Sequence, residues 1–171
     1  MLKPRVRLPL AEETRDLALF TLAIDSKLRA CDSTKLRVRG TAHGEHVSSR
    51  AIVMPQKAQH PVQFEITEQA QTVLEAWMHQ GHLRSEDFLF PTRLHSSDHL
   101  STRQYAWIVK AWVTSIGLDP TMYGTHTLRR TKASVIYRRI KDMRAARLLL
   151  GHTKLESIVK YLGIEVDSDC K

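Results

Sequence analysis

Apolar positions recur at helical spacing in several separate stretches of the chain and alternate in a shorter region between them. Residues 12–24 carry Leu17, Phe20, Thr21 and Ile24 three or four apart, which predicts a first amphipathic helix running out near Asp25 and Ser26. Arg29 therefore falls just beyond its end, near a helix junction. Leu36 to Arg39, Ser49 to Met54 and Pro61 to Ile66 are β-branched and alternating. They predict short strands of a small antiparallel sheet, with Lys57 on its last hairpin.

The helical period returns from Thr67, with Val73, Leu74, Trp77 and Met78 apolar and Gly81 placed as a C-terminal cap. Ser101 and Gln104 have capping-box spacing, and behind them Tyr105, Ile108, Val109, Trp112, Val113 and Ile116 form one stripe that stops at Gly117. The aromatic residues of that stripe are read as core. Three further helices are predicted at about 127–139, 142–150 and 153–162, the last opened by a capping box of Thr153 and Glu156. The fold class is mainly α with a small antiparallel β-sheet (α+β), in a single domain without internal repeats.

Composition narrows the possible partners. Across 171 residues, 26 Lys and Arg face 18 Asp and Glu, a formal charge of +8, which favours a polyanion such as nucleic acid. Cys31 and Cys170 are the two cysteines, too few for a disulfide framework or a CxxC metal knuckle, and a reducing interior suits them. The basic start leads into Glu12, Glu13 and Asp16 rather than an apolar run with a cleavage site, so no signal peptide is read. No stretch approaches the roughly 20 apolar residues of a bilayer span. The expectation is a soluble, cytoplasmic protein with no membrane partner.

Few residues stand out as chemistry. His126 and Arg129 are three apart, on neighbouring positions of one helix face, and can reach one oxyanion. Alone, that pair is better read as a solvated helix surface. Gly151-His152 is followed nine residues later by Tyr161. At 100° per residue, Leu155, Ile158, Val159 and Leu162 fall within about 100° of arc, with Tyr161 roughly 110° from their centre. Tyr161 is thus off the core face. Arg29 and Lys57 taken singly are ordinary surface cations.

Taken in order, Arg29, Lys57, His126, Arg129, His152 and Tyr161 resemble the catalytic set of the tyrosine recombinases, the phage integrase family. The resemblance covers nearly the whole chain and is strongest in Gly124 to Ala133 and Leu149 to Leu162. Before Arg29 the family often has Thr-Gly-Leu where this chain reads Ser26-Lys27-Leu28, which leaves the local turn open. Asp32 falls where the family often has an acidic residue that supports the arginine. The family also usually has an N-terminal core-binding domain, and only 28 residues precede Arg29. The expectation is a single catalytic domain over 1–171 without that domain, with residues from about 162 to 171 as a C-terminal tail.

The resemblance implies a site-specific DNA recombinase. Arg29 and Arg129 clamp a backbone phosphate, since guanidinium groups stay charged and match two oxygens. Tyr161 is the nucleophile, His126 its base, His152 a hydrogen-bond donor to the phosphate and Lys57 the acid for the departing 5′ oxygen. No cofactor, ATP or metal is expected. The partners implied are double-stranded DNA and other recombinase protomers in a DNA-dependent tetramer. Two other readings are kept: a DNA-binding module of the same descent without chemistry, and a metal-dependent nuclease using pairs such as His43 with His46 or His95 with His99.

Overall fold

The first helix, α1 (Thr14–Ser26), is buried on nearly all sides: Ala18, Leu19, Phe20, Leu22 and Ala23 are 0–3% exposed. The amphipathic stripe expected from Leu17, Phe20, Thr21 and Ile24 is therefore a poor description. Leu17 and Ile24 are only partly buried, while positions between them are sealed. The reason is the packing of α1 against elements from several parts of the chain, so that little of its surface is left for water. The Thr21 hydroxyl, sealed in with them, donates to the carbonyl of Leu17 at 3.0 Å.

In this computed structural model the described residues are 14–54, 61–92 and 98–140. After α1 come α2 (Ala30–Ser33), a 3-10 turn (Val38–Gly40), β1 (Ala42–His43), β2 (His46–Val47), β3 (Arg50–Val53), β4 (Val62–Glu65), α3 (Glu68–Gln80), α4 (Thr102–Ser115) and α5 (Thr125–Ile140). The helices predicted at 142–150 and 153–162 lie outside the described residues.

The strands form two antiparallel pairs, β1 with β2 and β3 with β4, rather than one sheet. In the second pair Ala51 faces Phe64 and Ile52 faces Gln63. Alternation does the sorting: Ala51 and Phe64 enter the core, while Ile52 is 62% exposed. The segment Leu36 to Arg39 is not a strand of either pair. Its backbone bonds instead to residues 85–89, with Val38 N–H donating to Asp87 at 3.0 Å and Leu36 accepting from Leu89 N–H at 2.7 Å. That partner carries no alternating signal of its own.

Thr67 caps α3, accepting from Ala70 N–H at 3.4 Å. At the other end, Leu83 N–H donates to Met78 and His82 N–H to His79, the paired bonds of a Schellman motif. Its left-handed residue is His82 (φ 48), not Gly81, whose φ is −83. A Cβ at 81 would be crowded, 3.2 Å from Leu83 Cγ and 3.3 Å from the Trp77 carbonyl, so a larger residue there requires a shift of a few tenths of an ångström. The capping box of Ser101 and Gln104 opens α4 as expected, and Gly117 (φ 75) closes it with the same motif. Phe20 meets Trp112 edge to face at 5.3 Å, which joins α4 to α1.

Candidate nucleic-acid interface

Arg29 stands at the N-cap of α2 with extended backbone (φ −71, ψ 155). Its carbonyl accepts from the N–H of Asp32 at 3.0 Å and of Ser33 at 2.9 Å. The turn before it is fixed by Leu28, which is buried, and by Leu28 N–H donating to the Ser26 hydroxyl at 3.3 Å. Lys27 holds a left-handed φ of 55, the conformation glycine adopts most freely. The turn left open by Ser26-Lys27-Leu28 is thus the one a glycine would favour, with a lysine in it. Asp32 is buried in the first turn of α2.

His126 is exposed at the start of α5, and Arg129, one turn on, is half-buried with its Nε out of contact with water. Leu128 lies between them at 4% exposure and anchors this end of the helix in the core. The Thr127 hydroxyl accepts from Gly124 N–H at 3.2 Å and fixes the entry into α5.

One joint ties these two segments together. Asp25, at the end of α1 and four residues before Arg29, is buried with its side chain 3% exposed. Its Oδ1 lies 3.2 Å from Lys132 Nζ, three residues beyond Arg129 on α5. Its Oδ2 accepts from Thr67 N–H at 3.0 Å and from the Thr67 hydroxyl at 2.7 Å. A carboxylate at the C-terminal end of a helix is opposed by that helix's dipole. Here the N-terminus of α3 and an ammonium both answer it. Burial lowers the pKa of Lys27, and the neighbouring Lys132 lowers it further, while Glu65 and Asp25 act in the opposite direction.

Of the six residues singled out in the sequence, three fall among the described residues: Arg29 at the N-cap of α2, and His126 and Arg129 in the first turns of α5. Lys57, His152 and Tyr161 lie outside the described residues. Asp25, Thr67 and Lys132 were not singled out. The sequence offered a signal for the first: an acidic residue in the last turn of a helix must find compensation.

Histidines do not gather into a metal site among the described residues, where no three His, Cys, Asp or Glu side chains converge. His43 Nδ1 lies 3.1 Å from the Ser48 hydroxyl, His46 Nδ1 lies 3.8 Å from Glu75, and the His99 ring packs against Phe88 at 4.9 Å. Tyr105 is sealed in the core, and burial pushes its phenol far above the ordinary value.

Comparison with known proteins gives a consistent set of likenesses. The sequence profile of the phage integrase family matches residues 8–166. The probable integrase/recombinase YoeC of Bacillus subtilis (strain 168) is 26% identical over 159 residues, covering 93% of this chain and 83% of that protein. Tyrosine recombinase XerD of Xanthomonas axonopodis pv. citri (strain 306) is 26% identical over 156 residues, covering 86% of this chain and half of its own length. Among solved structures, XerA recombinase superposes with a TM-score of 0.78 at 18% identity, over 97% of this chain and 60% of that one. XerH recombinase bound to its difH substrate gives 0.70 at 18% identity, over 86% of this chain and 42% of that one. These superpositions show that the α+β fold is shared with recombinase structures. The chain spans about two-fifths to four-fifths of the length of the relatives and structures named here.

Proposed function

The chain belongs to the phage integrase family, and we propose that it is the catalytic domain of a tyrosine site-specific recombinase that cuts and rejoins double-stranded DNA through a phosphotyrosine bond at Tyr161. The observation that supports this most is the α1–α5 joint. It fixes the turn leading into Arg29 against the helix that carries His126 and Arg129, although the two arginines are far apart in sequence.

In the proposed reaction, negative charge builds on the non-bridging oxygens as the scissile phosphorus becomes five-coordinate, and fixed cations lower that barrier. Arg29 and Arg129 supply them, each with a planar fork of donors. The phenolic oxygen of Tyr161 forms a bond to phosphorus while the bond to the 5′ oxygen breaks. The phenol proton passes to His126, and Lys57 protonates the departing 5′ oxygen. His152 donates a hydrogen bond to the phosphate. The 3′-phosphotyrosyl link then conserves the bond until another 5′ hydroxyl reverses the attack. No step is assigned to a metal or to ATP.

Residues 1–171 are taken as one catalytic domain, with residues from about 162 as a tail, acting in the cytoplasm and assembling as a tetramer on two duplexes. Among the described residues no helix is long and apolar enough to cross a membrane. The test is a nicked suicide DNA site, on which cleavage traps the covalent complex. Wild-type protein is expected to form an adduct, and Tyr161→Phe none. Salt-sensitive DNA binding without any wild-type adduct on a cognate site would favour the binding-module reading instead.

A further inference from the structure

We propose that Asp25 and Lys132 are positioning residues for the reaction, their ion pair setting how Arg129 is presented to the phosphate that Arg29 also grips. The inference rests on the recombinase reading above and concerns how its clamp is held in place.

Three observations carry it. First, the pair joins the two arginine-bearing segments: Asp25 precedes Arg29 by four residues and Lys132 follows Arg129 by three. Second, the pair is buried, with the carboxylate 3% and the lysine 23% exposed, and the carboxylate's other oxygen is held by two donors from Thr67. Asp25 is therefore an immobile anchor, and Lys132 is the group tied to it. Third, the bridge lies against the turn before Arg29, where Lys132 also bears electrostatically on Lys27.

A buried ion pair contributes little to stability compared with apolar residues of the same shape, because desolvation offsets attraction. Its contribution here is geometric. Three residues along a helix amount to nearly one turn, so a tether at Lys132 restrains rotation of α5 about its axis close to Arg129. At an outer helix radius of roughly 5 Å, a rotation of about 10° moves a side chain by about 1 Å. Misplacement by that distance can cost about 100-fold in rate.

The test measures adduct formation by the full chain at saturating suicide DNA, using wild type, Lys132→Met, Asp25→Asn and Lys132→Arg. Each is run on DNA with an ordinary scissile phosphate and with a methylphosphonate, which lacks the charge the guanidiniums neutralise. Lys132→Met and Asp25→Asn are expected to lose about 30-fold or more on the phosphate. On the methylphosphonate they should stay within about 3-fold of wild type, because arginine placement matters less where the ground-state charge is gone and a single non-bridging oxygen carries the charge that develops. Lys132→Arg should retain most of the phosphate rate. Unchanged rates in both disrupting variants would overturn the proposal, as would equal losses on the two substrates, which mark general damage to the fold. If Lys132→Met melts below the assay temperature, Asp25→Asn, which is isosteric, decides by the same criterion. Failure of the wild type to form any adduct would count against the recombinase reading itself.

Discussion

Lys27 offers a way to weigh backbone strain beside Arg29 without touching the proposed chemistry. A non-glycine residue in the left-handed region, as at φ 55 here, costs roughly 1–2 kcal/mol. Glycine relieves this but loses about 0.5–1 kcal/mol more conformational entropy on folding. Lys27→Gly should therefore exceed Lys27→Ala in stability by about 0.5–1 kcal/mol, since both remove the same side-chain interactions. In a domain of this size the difference corresponds to roughly 1–4 °C in Tm. Urea and thermal melts of the two variants measure it directly. The lysine adds a pH dependence, because burial and Lys132 lower its pKa from 10.5. Between the lowered value and 10.5 the unfolded chain holds more protons than the folded one, so stability rises with pH. The penalty on the charged form is complete below the folded pKa and fades through that window. The advantage of Lys27→Gly over wild type should thus shrink at alkaline pH, while its advantage over Lys27→Ala stays flat. Equal stabilities for the glycine and alanine variants would refute the strain argument.

Three other outcomes follow from the same structure. Leu74→Ala removes a side chain that is 0% exposed in α3, and a loss of about 2–5 kcal/mol is expected in denaturant melts. Ser101→Ala breaks the capping box of α4, with an expected loss of about 1 kcal/mol by the same measurement. Arg129→Lys keeps the charge but replaces a planar fork by a point charge. The adduct rate on suicide DNA is expected to fall by about 100-fold, on the scale of losing one donor to a developing oxyanion, with DNA affinity little changed.

How much of this was legible in the sequence depended on the range of the interactions. The α4 capping box was readable because Ser101 and Gln104 satisfy each other within one turn. The β3–β4 alternation was readable because side-chain direction has a period of two. The all-round burial of α1 was not, because it is imposed by helices and a strand distant in the chain. Leu36 to Arg39 were misread as a strand because their partner, residues 85–89, has no pattern of its own. The end of α3 at Gly81 was readable from residue type and Gly81 is its C-cap, but the left-handed position one residue on, at His82, had no such signal. For the candidate site, the order of Arg29, His126 and Arg129 was visible through the family resemblance. The Asp25–Lys132 bridge spans 107 positions, and no local pattern announces such a pairing.

The central claim concerns which oxygen takes hold of DNA, and the four tyrosines of the chain make that a direct question. Trapped adduct can be digested and the nucleotide-bearing peptide identified by mass spectrometry. The account predicts a single modified residue, Tyr161, joined through a 3′ phosphate. A nucleotide on Tyr123, Tyr137 or any other side chain, or one joined through a 5′ phosphate, would contradict it.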